Sequence, residues 1–534
     1  MISRRKLLVA GGTILAVVGL DHARGVDGAR AQAQDNVLRI VPQSGLRIID
    51  PVITTATVTR NHGYMVYDTL FAVDANFNVQ PQMVDAYEVS DDKLTYRFKL
   101  RDGLKFHDGS DVAAEDVIAS LRRWSSVDSM GMKLFSFVSE LESVDSLTFT
   151  MTLTQPYALV LETLGKPGGP VPFIMPERIA KAPSNESIKE VIGSGPFRFV
   201  SNEFQPGLKV VYERNPDYRP RAEPASGLAG GKIAMADRVE WINIPDPQTA
   251  MNALTAGEVD IWEWPTFDLL PSLKDNPDIA IKDLNPPGAN LYLRMNWLQP
   301  PFDNVKVRQV LRHAVKQQDY LDAQIGIDEY GKICRSVYGC NVPLSTEIAA
   351  VGGEDVSIDK LKQMLAESGY NGEKIVILAP TDVASVAQLP FVTADLLTRI
   401  GFNVDLQSMD WQTLVSRRGN SGPITQGGWH IFHSGSVTTD LMNPIVNTWL
   451  VGLGKQGGSV GWPEDPQIEQ MRDEYARETD IDRQKELADA IQSRALETAM
   501  LIPLGTYNLP TAFRNNISGA LPSVGLMGWN LQKN

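Results

Sequence analysis

Between Leu94 and Trp124 the chain changes its hydrophobic period, and that change constrains what it can fold into. Leu94, Tyr96, Phe98 and Leu100 alternate with Thr95, Arg97 and Lys99, the period of two of a strand with one buried and one wet face. Arg101-Asp102-Gly103 turns the chain, Leu104 and Phe106 form a second short extended piece, and His107-Asp108-Gly109-Ser110 is a second turn signal. Val117, Ile118, Leu121 and Trp124 then fall on one face of a helix, with Glu115 and Asp116 in its first turn, where the helix dipole favours acids. The stretch reads as strand, turn and helix, and nothing in it is catalytic by spacing.

The same two periods recur downstream. Leu147, Phe149, Met151 and Leu153 alternate with four threonines, and Val37–Val41 is a short apolar strand. Residues 355–369 and 384–400 read as helices around buried strands at Ile375–Leu378 and Asn403–Leu406, the alternation an α/β lobe needs. Gly257 is placed to end a helix over 252–256 before a strand at Ile261. A chain of 534 residues exceeds what one core serves, so two or more lobes are expected.

The N-terminus sets the compartment. Arg4-Arg5 precede an apolar run from Leu7 to Leu20, shorter than the roughly 20 residues a membrane span takes. This reads as a twin-arginine signal peptide over residues 1–33, cleaved after a small-x-small site at Ala29-Arg30-Ala31 or Ala31-Gln32-Ala33. The protein is then periplasmic. The leader carries five basic and two acidic side chains, so its removal takes the net charge from −14 to −17. That acidity argues against nucleic acid and anionic membranes as partners. Cys334 and Cys340 are the only cysteines, and in an oxidising compartment so close a pair reads as a disulfide.

The motifs resemble those of the extracellular solute-binding proteins of ABC importers, family 5, the peptide/nickel type. That family writes the opening stretch as F-x-L-R-x-G-v-x-F-h-d-G followed by T-A-e-D-V, and here it stands as FKLRDGLKFHDG and then AAEDV. The family's helix-capping Thr is replaced by Ala113; a missing cap costs on the order of 0.5–2 kcal/mol. IGSGPFRF with ERNPDY at 192–218, NALTAGEVDI at 252–261, and LYLRMNWLQPPFDNVKVRQVLRHAV at 291–315 extend the likeness over most of the chain. The GSG at 193–195 opens no helix and so reads as architectural rather than phosphate-binding.

The resemblance implies an α/β fold of the type II periplasmic-binding-protein kind, with a ligand cleft between two large lobes and a small α+β lobe inserted in the first. The expected division is 34–81 for the first part of lobe I, 82–192 for the inserted lobe, 193–284 for the rest of lobe I, 285–503 for lobe II, and 504–534 for a return to lobe I. It also implies a monomeric, non-enzymatic, cofactor-free protein that captures a peptide or peptide-like solute and hands it to an inner-membrane permease.

Candidate cleft residues are Tyr64, Trp411 and Arg417, together with Trp429, His430, Asp440 and Asn443 in the run GGWHIFHSGSVTTDLMN, which its small residues mark as an exposed loop. Peptide-binding relatives carry an Asp shortly after the matching Gly-Trp, where it pairs with the ligand's α-amino group. Here His430 follows Trp429 and the next acid is Asp440. Asp440 pairs an ammonium if it is displaced along the loop; otherwise the ligand lacks that group and Trp411 and Trp429 carry its affinity by stacking. A non-peptide solute in the same fold, such as an oligosaccharide, an opine-like compound or a metal chelate, therefore stays open. No nearby Cys or carboxylate completes a metal shell around His430 and His433. The third reading, a periplasmic hydrolase on another fold, has no nucleophile elbow, zinc-protease motif or phosphate loop behind it.

Overall fold

The computed structural model describes residues 36–183, 186–349, 356–456 and 459–534; the expected leader at 1–33 lies outside them. The strand Val37–Val41 runs parallel to both Arg238–Ile242 and Ile261–Glu263 at the centre of a seven-stranded sheet. Phe197–Phe199 and Lys209–Arg214 complete one side, and Pro510–Arg514 and Ile279–Asp283 the other, all antiparallel. The second sheet has six strands in the order Gly331–Lys332, Ile502–Tyr507, Ala289–Met295, Ile431–Val437, Lys374–Pro380, Asn403–Met409. Its two βα segments pair in parallel, as crossover helices require.

The chain crosses between these sheets twice, after Asp283 and after Tyr507. The expected return at residue 504 is thus a few residues early, because Ile502–Tyr507 pairs throughout with Ala289–Met295 in the second sheet.

The opening stretch forms the centre of a separate four-stranded antiparallel sheet, with Thr95–Leu100 between Val84–Val89 and Thr148–Leu153, and Val138–Asp145 at the far edge. The helix Ala114–Ser125 follows and lays Val117, Leu121 and Trp124, all buried, on the sheet. Its missing Thr cap is compensated from the other end of the capping box. Asp116 Oδ2 accepts from the Ala113 N–H at 2.8 Å, and the Ser146 carbonyl accepts from Ala114 N–H at 2.9 Å. The small lobe's core runs on without a break into Tyr475 and Ile491 of the helices Pro466–Arg477 and Ile481–Glu497.

The largest departure from the sequence reading is at 427–443. Ile431–Val437 is no exposed loop; it is an interior strand of the second sheet, paired residue by residue with Ala289–Met295. Two glycines before it and one within it masked the pattern, and burial on both faces removed the polar alternation that marks a half-wet strand.

Cys334 and Cys340 are joined, with Cα atoms 5.9 Å apart. Among the described residues no helix is long and apolar enough to cross a membrane.

The GSG turn is architectural, as expected. Gly195 N–H donates to the Val66 carbonyl at 2.8 Å, and a Cβ on Gly193 would overlap that same carbonyl. Gly193→Ala is accordingly expected to lower unfolding free energy by about 1–3 kcal/mol, since backbone must shift to admit the methyl. Gly331→Ala meets only ordinary contacts and is expected to stay within about 0.5 kcal/mol. Urea denaturation of the two variants measures both.

Candidate functional site

The two large lobes face each other across the ends of the second-sheet strands. There a cavity of about 200 Å³ is lined on one side by Ser434–Val437, Ser385, Trp411 and Tyr507, and on the other by Thr57 and Trp264. Thr57 opens the first-lobe helix Thr57–Val66. Trp264 follows the strand Ile261–Glu263 with a φ of 57°, a left-handed conformation that a bulky residue adopts at a cost and that marks a constrained position.

From Val437 the wall strand passes into the turn Thr438–Asp440. Thr438 is sealed: its N–H donates to the Gly288 carbonyl at 3.0 Å, its Oγ1 donates to the Pro287 carbonyl at 2.7 Å, and it accepts from Asn290 Nδ2 at 2.7 Å. The turn is thereby tied to the segment on which the chain first crosses between sheets.

Asp440, at the end of this turn, lies against Gly168 of the opposite loop so closely that a Cβ there would overlap Oδ1. Tyr64 supports that loop from beneath, its hydroxyl donating to the Pro167 carbonyl at 3.1 Å. Lys166 supports it from within, pairing with Asp128 and donating to the Pro170 carbonyl at 3.2 Å. Among the described residues Asp440 Oδ1 is buried and accepts no hydrogen bond.

Burial pushes the Asp440 carboxyl above the ordinary carboxylate range; Arg60 and Lys166 pull it down and Asp128 pushes it further up. Around it, the Tyr292 hydroxyl and Thr439 Oγ1 are also buried without partners. Burial raises the Tyr292 phenol too, and Asp440 adds to that rise. Trp449 packs on Tyr292 with ring centres 4.9 Å apart and planes tilted by 55°, and donates from Nε1 to Ser436 Oγ at 3.3 Å. An anionic acceptor with unpartnered hydroxyls near it, on the turn that leaves a wall of a cavity lined by Trp264 and Trp411, is suited to a small molecule with an ammonium group and an apolar body.

These features match a known family. Residues 78–459 fit the model of the bacterial extracellular solute-binding proteins, family 5 (its middle region). The chain belongs to that family. Across its whole length this family 5 solute-binding protein is similar to the probable peptide ABC transporter periplasmic-binding protein y4tO of Sinorhizobium fredii, at 38% identity over 541 residues covering 100% of this chain and 99% of the relative. Its fold is that of DppA from Helicobacter pylori in complex with the peptide STSA, with a TM-score of 0.78, 20% identity, and coverage of 93% and 98%. It is equally that of AgaA from Agrobacterium tumefaciens R10 in complex with agropinic acid, with a TM-score of 0.76, 23% identity, and coverage of 93% and 99%.

Of the seven residues singled out in the sequence, Trp411 lines the cavity, Asp440 ends the turn that leaves its wall, and Tyr64 backs the loop facing Asp440. The other four have structural work. Trp429 is 0% exposed and sits among Val376, Leu378, Leu414 and Phe432, so it is core rather than cleft wall. His430 accepts at Nδ1 from Val376 N–H, which leaves the proton on Nε2 to donate to the Pro300 carbonyl, and burial holds its pKa low. Arg417 donates to the Gly427 and Gly428 carbonyls at 2.9 and 3.2 Å. Asn443 Oδ1 accepts from the N–H groups of Ile445 and Val446.

Trp264, Ser385 and Tyr507 were not foreseen, and Ser436 was covered only by the run 427–443 without being singled out. They come from four separate segments, and only the Trp264-Pro265 pair, a turn signal just past a strand, hinted at one of them.

The raised folded-state pKa of Asp440 has a definite sign. A group held above its unfolded value contributes stability that is complete below the unfolded pKa and is lost as pH rises through the folded one. Asp440→Asn removes that loss. The ligand-free variant is expected to be more stable than the native chain at neutral pH by about 1 kcal/mol, with the gap closing toward about pH 4. Thermal melts across that pH range check it.

Proposed function

We propose that this solute-binding protein captures a short peptide or peptide-like solute in the periplasm and delivers it to the permease of an ABC importer. The buried, unpartnered Asp440 Oδ1, three residues beyond the cavity wall at Val437, carries the reading. A carboxylate kept dry and without a partner is a ready acceptor for an ammonium, and each bond from a charged donor there is worth about 1.5–3 kcal/mol. Trp264 and Trp411 enclose the rest of the ligand from opposite lobes. The cavity falls below the roughly 300–1,000 Å³ that holds drug-sized ligands, which favours something the size of a dipeptide. The likeness to y4tO supports the peptide and the importer. The likeness to AgaA, which is in complex with agropinic acid, supports a second reading, an opine-like compound. The protein acts as a monomer without a cofactor and catalyses no reaction.

A thermal-shift and calorimetric panel of Ala-Ala, N-acetyl-Ala-Ala, agropinic acid and maltose decides among these. Ala-Ala at 100 times its Kd is expected to stabilise the protein by about 2.7 kcal/mol, N-acetyl-Ala-Ala not at all, and Asp440→Asn to weaken Ala-Ala at least tenfold, or about 1.4 kcal/mol. A response to maltose alone would refute the peptide reading, and a response to agropinic acid alone would select the second. Export is tested separately. Replacing Arg4 and Arg5 together by lysine is expected to leave the unprocessed protein in the cytoplasm, whereas normal processing would reject the twin-arginine route.

A further inference from the structure

The Cys334–Cys340 loop lies directly against the turn that carries Asp440. Its first half is anchored to other elements by bonds that do not involve the disulfide. Cys334 N–H donates to Gln317 Oε1 at 2.8 Å, and Gln317 Nε2 returns a bond to the Cys334 carbonyl at 2.7 Å. Ser336 Oγ and Val337 N–H both donate to Gln492 Oε1, and the fully buried Tyr338 donates from its hydroxyl to the Ala488 carbonyl at 2.8 Å.

Beyond Tyr338 the anchoring changes. Among the described residues, Gly339 is held by a 3.4 Å bond to the Ser336 carbonyl and by the disulfide that follows it. Gly339 is also the residue that meets the ligand turn. At a φ of 86°, a Cβ on it would overlap Thr438 Cγ2 and lie 3.0 Å from Asn290 Nδ2. On the far side of Asp440, Asn447 Nδ2 donates to the Val337 carbonyl at 2.9 Å. The loop therefore holds the segment 438–447 from both ends, and the covalent bridge secures the end that touches Thr438.

We propose that the Cys334–Cys340 disulfide is a positioning device for ligand binding: by keeping Gly339 pressed on Thr438 it fixes the place and orientation of the Asp440 carboxylate. This rests on Asp440 as the ammonium acceptor, but its mechanical part stands apart from any ligand. Gly339 needs the left-handed conformation and the absence of a side chain at once, so a residue with a side chain could not keep this contact with Thr438. Thr438 passes the constraint on to Pro287 and Asn290, so the bridge holds the ligand turn and the interlobe crossing in one register.

The test begins with the ligand-free protein, comparing the native chain with the Cys334→Ser/Cys340→Ser double variant by hydrogen-exchange mass spectrometry. Amides in 437–447 are expected to exchange at least tenfold faster in the variant, while those of the helix Ile481–Glu497 keep their rates. Unchanged rates in 437–447, or faster exchange everywhere, would overturn the proposal. Gly339→Ala, which keeps the disulfide, is expected to show the same local pattern.

A double-mutant cycle with Ala-Ala as probe then reads the functional part. The serine pair is expected to weaken Ala-Ala at least tenfold in the native background and not further in Asp440→Asn; equal losses in both backgrounds would show that the disulfide does not act through Asp440. If the native protein fails to bind Ala-Ala, the peptide reading fails, and the exchange experiment still decides the positioning.

Discussion

The strand Ala289–Met295 is buried at every position and is paired along both edges. One edge holds the strand that leads to Asp440, and the other the strand on which the chain returns to the first lobe. A strand with no wet face and no free edge cannot slip by a residue without exchanging the side chains packed on its two faces and breaking its pairs along both edges. Its register fixes where Thr438 meets Gly288 and Asn290, and hence where the Asp440 carboxylate lies. The cleft geometry follows from this pairing more than from any residue in the cleft.

The handling of buried charge in the rest of the molecule sets Asp440 apart. Arg123 pairs with Asp50 at 2.7 Å, Lys232 with Asp68 at 2.7 Å, and Lys166 with Asp128, each pair almost wholly buried. Arg294 has no carboxylate but donates to the carbonyls of Trp449, Val460 and Met500, and burial brings its pKa down to about 9. Each of these ions has hydrogen bonds to offset its loss of water, without which a buried charge costs several kcal/mol. Among the described residues, Asp440 is the buried carboxylate with an oxygen left bare, the arrangement expected where a ligand supplies the missing donor.

Much of the fold was legible in local pattern. The strands at 95–100 and 148–153, the helix at 114–125 and the Gly257 cap with its φ of 77° all stand where residue periods and small residues put them. These features depend on neighbours in sequence, so a single chain reveals them. The site was legible only in part. Asp440 and Trp411 were found because charge and aromatic size in a Gly- and Ser-rich stretch attract notice. Trp429 and His430 attract the same notice and are core, because the segment that carries them is buried where it enters the interior strand Ile431–Val437.

By itself, the sequence determined the family, the two-lobed α/β plan with its small inserted lobe, and the pairing of its two cysteines. The first two came through motifs that resemble a known family, and the third through the close spacing of the cysteines in an exported chain. Only the tertiary structure decided which polar groups face the cavity. Trp264, Ser385, Ser436 and Tyr507 meet across segments hundreds of residues apart, and whether a given aspartate is bare or paired depends on what the rest of the chain brings beside it. Asp440 is a loop acid like any other until Gly168 of the opposite loop closes against its carboxylate.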